Sequence, residues 1–279
     1  IQPSQGIHLV LDLDFLGGKD ALMIPKTRDG RVLFAVPWHD KLVVGTTDTL
    51  REKAKLEPEA LQKEIDFVLE TASGYLTKKP TRADVKAVFA GLRPLARPKE
   101  GSTKTKEISR SHKVIISASG LVTLTGGKWT TYRAMADDTL AFISKHGLLP
   151  YTPLPKNGLS QNFALVGAQG NTVSTQKITQ AQGPHIYGNE ANFVAQLPGA
   201  DIMLHEKITE AMVRFAVRFE YARTVEDVLA RRSRLLFLDA ALAAALAEEV
   251  GAIVQQETGR DPQVADCVAL ARQHLTLPA

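Results

Sequence analysis

The chain has 279 residues, of which 44% are hydrophobic and 23% charged, a composition typical of a folded globular protein. This length predicts one large domain or two smaller ones. The formal net charge of +4 is spread along the chain without a long basic run, and aromatic residues make up only 6%. These values argue against nucleic-acid binding, which uses basic patches interleaved with aromatic residues. They are compatible with an anionic small ligand or an acidic membrane surface.

A single cysteine, Cys267, rules out an internal disulfide and a cysteine-based metal cluster, and we expect it to be a small buried residue. No apolar run approaches the roughly 20 residues of a membrane-spanning helix, and no signal peptide is visible. We expect a protein that holds no metal and lies in the cytoplasm, and a reducing compartment is compatible with the single cysteine. Because the chain opens with Ile1, we also expect a processed product or a part of a longer protein.

Four short apolar runs in the first 50 residues predict an antiparallel sheet. They span residues 7–11, 21–25, 31–36 and 41–45. An Asp-Gly turn separates the second run from the third, and short strands joined by tight turns are typical of antiparallel pairing.

A helix is predicted over residues 57–76, with Pro58 in its first turn. Its apolar face recurs at helical spacing and consists of Leu61, Ile65, Val68, Leu69 and Ala72. A strand at 85–90 then runs into the segment Gly-Leu-Arg-Pro-Leu at 91–95. The polar stretch at 97–107 predicts a loop.

A hairpin is predicted from residues 113–117 and 121–125, and the segment Gly-Gly-Lys-Trp-Thr-Thr-Tyr-Arg follows it at 126–133. Its glycines permit positive φ or close backbone approach. The N–H groups and dipole at a helix start attract anions, and Lys128 adds a positive charge. The segment alone leaves two interpretations open, an anion or cofactor site and an ordinary strand-to-helix turn with a solvated lysine. The helix is predicted over 128–146, capped by Gly147, with Tyr132, Met135, Ala136, Leu140 and Ile143 facing inward.

Residues 148–205 are rich in Pro, Gly, Gln and Asn and predict a linker with short helices. From residue 206 onward the pattern is helical, with a capping box formed by Thr224 and Asp227 and a last helix that begins at 261–262. We predict an α+β protein with a β-rich portion over 1–147, the linker over 148–205 and an α-helical C-terminal domain over 206–279. A start of that last domain near residue 155 is an alternative.

Several ligand-binding patterns are absent from the sequence. It contains no G-x-G-x-x-G after a strand, no P-loop, no H-E-x-x-H and no G-x-S-x-G. If this protein handles a dinucleotide, the clamp for the pyrophosphate lies outside the chain.

Segments spread along the chain resemble the FAD-dependent glycerol-3-phosphate dehydrogenases of the aerobic respiratory type. They are Ser-Gln-Gly-Ile-His-Leu-Val at 4–10, Pro-Trp at 37–38 with Val-Gly-Thr-Thr-Asp-Thr at 44–49, and the segments already quoted at 91–95 and 126–133. Residues 220–224 and 231–235 resemble the helical C-terminal domain of that family. Family members begin with a dinucleotide-binding unit that this sequence lacks. The resemblance therefore implies a C-terminal portion, with an antiparallel substrate-domain sheet, a flavin-domain remnant and the helical domain.

The resemblance implies oxidation of sn-glycerol 3-phosphate to dihydroxyacetone phosphate, with hydride transfer to FAD and electrons passing to quinone. The implied partners are the substrate, quinone and an N-terminal FAD-binding region supplied from elsewhere. It also implies peripheral contact with the inner face of the cytoplasmic membrane. Two alternatives stay open, the related oxidase that uses oxygen and a non-catalytic interaction module.

Three residues match catalytic positions of the family. His8 is the candidate base, since a histidine titrates near neutral pH; the alternative is an inert, half-buried strand histidine. Arg93 is the candidate phosphate clamp, since its planar fork suits two phosphate oxygens; the alternative is a surface ion pair. Lys128 either holds phosphate or stabilises the developing alkoxide.

The resemblance also implies a set of cofactor-binding residues: Gly91, Gly126, Gly127, Trp129 and Thr130. The N–H groups at positions 129 and 130 would face the pyrimidine edge of the flavin, where the helix dipole favours the anionic reduced form. The hydroxyls of Thr130 and Thr131 alternatively cap the helix. Thr47 and Asp48 either hold a loop over the substrate or form a turn.

The helical tail is rich in arginine among acidic residues. Its basic positions are Arg214, Arg218, Arg223, Arg231, Arg232 and Arg234. They predict either solvated faces with ion pairs or docking to an anionic membrane, in which quinone resides.

Overall fold

The computed structural model describes residues 2–95, 112–149, 159–168, 177, 179–206 and 208–278. The predicted loop at 97–107 and much of the predicted linker lie outside these ranges. The chain divides into two compact units. The large unit comprises Gly6–Thr47, Glu57–Gly91 and Val166–Ala279, and the small unit comprises Ile1–Gln5, Asp48–Leu56 and Leu92–Leu165.

A six-stranded sheet confirms the predicted antiparallel arrangement. Its strands are β1 (Gln2–Asp12), β2 (Leu22–Ile24), β3 (Leu33–Trp38), β4 (Lys41–Gly45), β5 (Thr49–Leu50) and β6 (Ala87–Leu95). The strands β2, β3, β4 and β1 pair antiparallel in that order, β5 pairs with the first residues of β1, and β6 also pairs with β1. The motif at 91–95 is therefore part of a strand.

The first helix, α1, spans Gln62–Ser73 and begins later than predicted, so that Pro58 precedes it. The reason is local, because the Glu64 carboxylate accepts the Leu61 N–H at 2.9 Å and caps the helix at that point. The apolar face is confirmed, with Ile65 and Val68 fully buried.

Strand β1 contributes to two hydrophobic cores of the large unit, because successive side chains of a strand point to opposite faces. Ile7, Leu9 and Leu11 are fully buried in a cluster with the apolar face of α1. Val10 is fully buried in a second cluster, which the C-terminal helices form. The sheet of this unit is thus covered on both faces.

The C-terminal helices are α3 (Ala191–Val194), α4 (Glu210–Phe219), α5 (Leu235–Leu238), α6 (Ala240–Thr258) and α7 (Val264–Leu275), with a π-helical segment at Asp227–Arg232. A short hairpin, β9 (Met203–His205) with β10 (Ile208–Thr209), precedes α4. The capping box is confirmed, since the Asp227 N–H donates to Thr224 Oγ1 and the Thr224 N–H donates to Asp227 Oδ2, both at 3.1 Å. Cys267 is fully buried as expected, and burial raises the pKa of its thiol to about 11.

The small unit contains the predicted hairpin, β7 (Lys113–Ile116) with β8 (Val122–Thr125), followed by helix α2 (Tyr132–Lys145). The predicted inward face of α2 is wrong for this chain. None of its residues is buried, and Tyr132 and Leu140 remain 51% and 48% exposed. A two-stranded hairpin offers too little surface to cover a helix face.

The tail arginines make contacts within the large unit. Arg214, whose side chain is only 10% exposed, pairs with Glu210 and Glu257, while Arg218 donates to both carboxylate oxygens of Glu257 at 2.7 and 2.6 Å. Arg231 pairs with Glu226 and Asp227, and Arg223, Arg232 and Arg234 donate to the backbone carbonyls of Val217, Glu220 and Arg232. Arg214, Arg218 and Arg231 thus form ion pairs, as one of the two interpretations predicts, and docking to a membrane stays a prediction.

Glu257 is expected to make folding sensitive to acid. The hydrogen bond from Arg218 and the pairing with Arg214 hold the pKa of this carboxyl below its usual range. Its contribution to stability is therefore present above about pH 4.5 and is lost as the pH falls through the lower folded-state pKa. Glu257→Gln should lower stability at neutral pH and flatten the acid limb of the unfolding curve, measured by urea titration from neutral to acidic pH.

The control for that change is Glu249→Gln, on the exposed side of α6. An equal loss of stability in both variants at neutral pH would contradict a specific role for the Arg214–Glu257–Arg218 network.

Candidate active site

His8 lies in the middle of β1 and pairs in register with Gly45 of β4. The imidazole lies against the backbone of that glycine. A Cβ atom added at position 45 would lie 2.5 Å from His8 Cδ2 and 2.7 Å from the Ile7 carbonyl oxygen. Real Cβ atoms do not approach other atoms so closely, so the position of the His8 ring requires glycine at residue 45.

The other constraint on His8 comes from Phe89 of β6. The two rings stack with centroids 5.3 Å apart at 19°, and Phe237 packs edge-on against Phe89 at 5.3 Å. His8 is half-buried rather than fully buried. A ring that is fixed in orientation and still partly accessible suits a general base better than an inert core histidine.

Arg93 projects from β6 with 37% of its side chain exposed. Its Nη1 lies 3.9 Å from Oδ1 of Asp48, and the hydroxyl of Ser4 donates to the same carboxylate oxygen. Ser4 is fully buried, and the Asp48 side chain is 17% exposed. The small unit therefore brings together an arginine, a carboxylate and a buried serine from three separate segments of the chain.

Thr47 and Asp48 differ in what they do, although sequence reasoning treated them together. Thr47 is buried, accepts the Ile7 N–H at 3.1 Å and donates to Glu64 at 2.9 Å. It therefore holds β1 to the start of α1, whereas Asp48 faces Arg93.

The glycine pair before α2 adopts the expected special backbone. Gly126 and Gly127 both have φ of +78°, and a Cβ at Gly127 would lie 2.5 Å from the sulfur of Met135 and 3.2 Å from Cβ of His112. His112, to which no role was assigned, has its Nε2 3.1 Å from a carboxylate oxygen of Asp138. The positive φ therefore favours glycine at this position, and a side chain there would also displace the flexible end of Met135.

The residues after the glycines are exposed. Lys128 is extended and forms no ion pair within the described part of the chain, and Trp129 is 86% exposed and stacks on Tyr132 at 5.6 Å. A 3₁₀ turn at Trp129–Thr131 precedes α2, so the helix begins at Tyr132 and not at Lys128. The hydroxyl of Thr131 donates to the Lys128 carbonyl and does not cap the helix.

Gly91 lies on β6, and no described atom comes within 4 Å of a Cβ built there. Nothing in the described chain therefore demands glycine at this position. Sequence reasoning missed the contributions of Gly45 and Phe89. Gly45 is part of the segment Val-Gly-Thr-Thr-Asp-Thr at 44–49, but its contact with His8 was not predicted. For Phe89, the alternation of side chains along β6 was the one available indication of the face on which it lies.

Known protein families match most of the chain. A family described as FAD dependent oxidoreductase matches residues 1–133, and the C-terminal domain of alpha-glycerophosphate oxidase matches residues 157–265. A probable mitochondrial glycerol-3-phosphate dehydrogenase of Dictyostelium discoideum is 37% identical over 262 residues, covering 86% of this chain and 40% of that protein. The mitochondrial glycerol-3-phosphate dehydrogenase of Arabidopsis thaliana is 35% identical, covering 92% of this chain and 45% of that protein.

A solved structure agrees on the fold. The crystal structure of a Bacillus halodurans glycerol-3-phosphate dehydrogenase complexed with FAD superposes with a TM-score of 0.74 at 21% identity, covering 99% of this chain and 57% of that one. The chain thus has the fold and motifs of an FAD-dependent oxidoreductase. Within that class it belongs to the glycerol-3-phosphate dehydrogenase family. It spans less than half the length of the curated relatives named above.

Gly45→Ala should displace the His8 ring and lower stability by about 1–3 kcal/mol, since the added methyl overpacks a well-filled site. Chemical unfolding measures the stability loss, and the NMR shift of the His8 ring proton at Cε1 reports the displacement. Gly18→Ala is the matched control, because no atom lies within 4 Å of a Cβ built there. An unchanged His8 resonance in Gly45→Ala would contradict the proposed constraint.

Proposed function

We propose that this chain is the substrate-binding and C-terminal portion of a flavoenzyme that oxidises sn-glycerol 3-phosphate to dihydroxyacetone phosphate. The observation that carries the proposal is the half-buried His8 imidazole, fixed between Gly45 and Phe89 in a chain of the glycerol-3-phosphate dehydrogenase family. A base held in one orientation is what proton removal from the substrate C2 hydroxyl requires.

The residues present fit one part of FAD. Gly126 and Gly127 have positive φ, and the residues Trp129 and Thr130 that follow them are exposed, so the edge of a flat ring can approach them. Lys128 adds positive charge beside it. We propose that these residues and Gly91 hold the flavin ring, whereas the sequence offers no glycine fingerprint for the pyrophosphate. When bound, FAD would accept the hydride from substrate C2.

Each candidate catalytic residue has a distinct task in this proposal. His8 takes the proton of the C2 hydroxyl as that carbon is oxidised. Arg93 binds the substrate phosphate through the donors of its planar fork. Lys128 either binds the same phosphate as a point charge or stabilises the oxygen from which the proton leaves.

A further partner in this proposal is an FAD-binding region like the one that longer family members carry. Large apolar side chains that are exposed in the small unit support this. They include Ile115, Leu121, Leu124, Trp129, Tyr132 and Leu140, with exposures between 40% and 86%. A partner that covers some of these side chains would remove apolar area from water.

We propose quinone as the electron acceptor and peripheral contact with the inner face of the cytoplasmic membrane as the location. Family membership supports quinone, and the basic sequence pI of about 9.1 is compatible with an anionic lipid surface. Within the described residues, no helix is long and apolar enough to cross a membrane.

A second candidate is the related oxidase, because the family that matches residues 157–265 is described from alpha-glycerophosphate oxidase. Both enzymes need the same base and the same phosphate clamp. An oxygen-electrode assay of the FAD-loaded protein separates them. Peroxide formation without quinone favours the oxidase, and turnover only with quinone favours the dehydrogenase.

Arg93→Ala should weaken binding of sn-glycerol 3-phosphate by about tenfold to a hundredfold, since a charged hydrogen-bonded contact is lost. Isothermal titration calorimetry of the chain, with and without FAD, measures this. The control is Arg28→Ala, an exposed arginine that pairs with Glu70. Equal affinity in wild type and Arg93→Ala would contradict the phosphate-clamp assignment, and a chain that binds no substrate would indicate a non-catalytic module.

A further inference from the structure

The surroundings of Arg93 contain a carboxylate, Asp48, that has no task in the function proposed above. Asp48 lies in the turn between β4 and β5, and β5 pairs antiparallel with the first residues of β1, with Ser4 opposite Leu50 and Gln5 opposite Thr49. This pairing brings the Ser4 hydroxyl to Asp48, while β6, which carries Arg93, pairs with β1 as well. Strand pairing therefore positions the backbone segments that carry Ser4, Asp48 and Arg93.

Asp48 is held more firmly than the arginine it faces. Its side chain is 17% exposed against 37% for Arg93, and it accepts a hydrogen bond from the fully buried Ser4. The separation of 3.9 Å between Asp48 Oδ1 and Arg93 Nη1 exceeds hydrogen-bond length. The attraction between these two atoms is therefore Coulombic, and it adds a restraint on the direction of the guanidinium.

Resting on the function proposed above, we infer that Asp48 is a positioning residue for Arg93, anchored by Ser4, which orients the guanidinium toward the phosphate of the substrate. An arginine side chain loses considerable rotamer freedom when it binds an anion. A neighbouring carboxylate that restricts it beforehand removes part of that cost from binding. Asp48 also repels the incoming phosphate. The restraint of Arg93 raises substrate affinity and this repulsion lowers it, so a binding measurement shows which effect is larger.

Asp48→Asn separates the two effects, because the amide oxygen still accepts the Ser4 hydrogen bond while the charge is removed. Positioning predicts that this variant binds sn-glycerol 3-phosphate about three- to tenfold more weakly than wild type, because Arg93 loses one of the interactions that orient it. Asp48→Glu, which keeps the charge, should recover part of that loss. Ser4→Ala, which frees the carboxylate, should give an intermediate loss. Tighter binding in Asp48→Asn would show that repulsion dominates and would overturn the inference.

A double-mutant cycle with Arg93→Ala tests whether Asp48 acts through the arginine. The weakening caused by Asp48→Asn should disappear in the Arg93→Ala background, whereas a general structural effect would persist there. Titration calorimetry with sn-glycerol 3-phosphate and with inorganic phosphate, each measured on the full chain, supplies the affinities. Asp66→Asn is the control, since Asp66 pairs with Arg82 at 2.7 Å in the large unit.

A second measurement needs no ligand. In the wild-type chain the Nε–H proton of Arg93 should give a resolved NMR signal, which should broaden in Asp48→Asn as the side chain becomes mobile. An unchanged signal would overturn the inference. Failure of the proposed function looks different, because Arg93→Ala would then leave substrate affinity unchanged while the Nε–H signal still depended on Asp48.

Discussion

The alternation of side chains along β1 is the constraint on which the candidate site of the large unit depends. Ile7 and Leu9 are fully buried against α1, and Val10 is fully buried against the C-terminal helices. A shift of the strand by one residue would move each side chain to the opposite face of the sheet. The side chains that fill each core would then no longer match the residues packed against them. The register of β1 is therefore fixed by hydrophobic packing, and His8 is held in place by the same packing that stabilises the unit.

A buried polar contact extends this constraint to the chain that leaves β4. Thr47 accepts the Ile7 N–H and donates to Glu64, and Glu64 also caps α1 through the Leu61 N–H. One carboxylate thus joins the start of a helix, an inner strand and the turn that leads to Asp48. Because both Thr47 and Glu64 are buried, loss of either partner would leave a polar group without water. This arrangement explains why the segment Gly-Thr-Thr-Asp is more than a connecting turn.

The elements that the sequence predicts correctly are those that local patterns decide. The strands of the sheet, the apolar face of α1 and the Thr224–Asp227 capping box follow from spacing within a few residues. The exposure of α2 could not be predicted. Its apolar spacing is typical of a helix with one face packed against a core, but the described residues of the small unit do not bury that face.

The residues that contact the candidate site residues could not be predicted from the sequence for a related reason. Phe89 stacks on a residue 81 positions earlier in the chain, and the contact of Ser4 with Asp48 spans 44 positions. Spacing within one element carries no information about such contacts. The family resemblance supplied His8 and Arg93, but only the folded chain reveals that Gly45 lies against the first and Asp48 faces the second.

The candidate residues fall into two groups by how firmly the chain itself holds them. His8 and Arg93 are restrained by residues of their own units, so the binding of substrate at these positions need not order them first. Lys128, Trp129 and Thr130 are exposed, and their order in a complex would have to come from the cofactor or from a covering partner. Flavin affinity should therefore depend on such a partner far more than the geometry around His8 does. In the proposed function, the residues assigned to the proton and to the phosphate are therefore restrained within this chain, whereas those assigned to the flavin depend on a further surface.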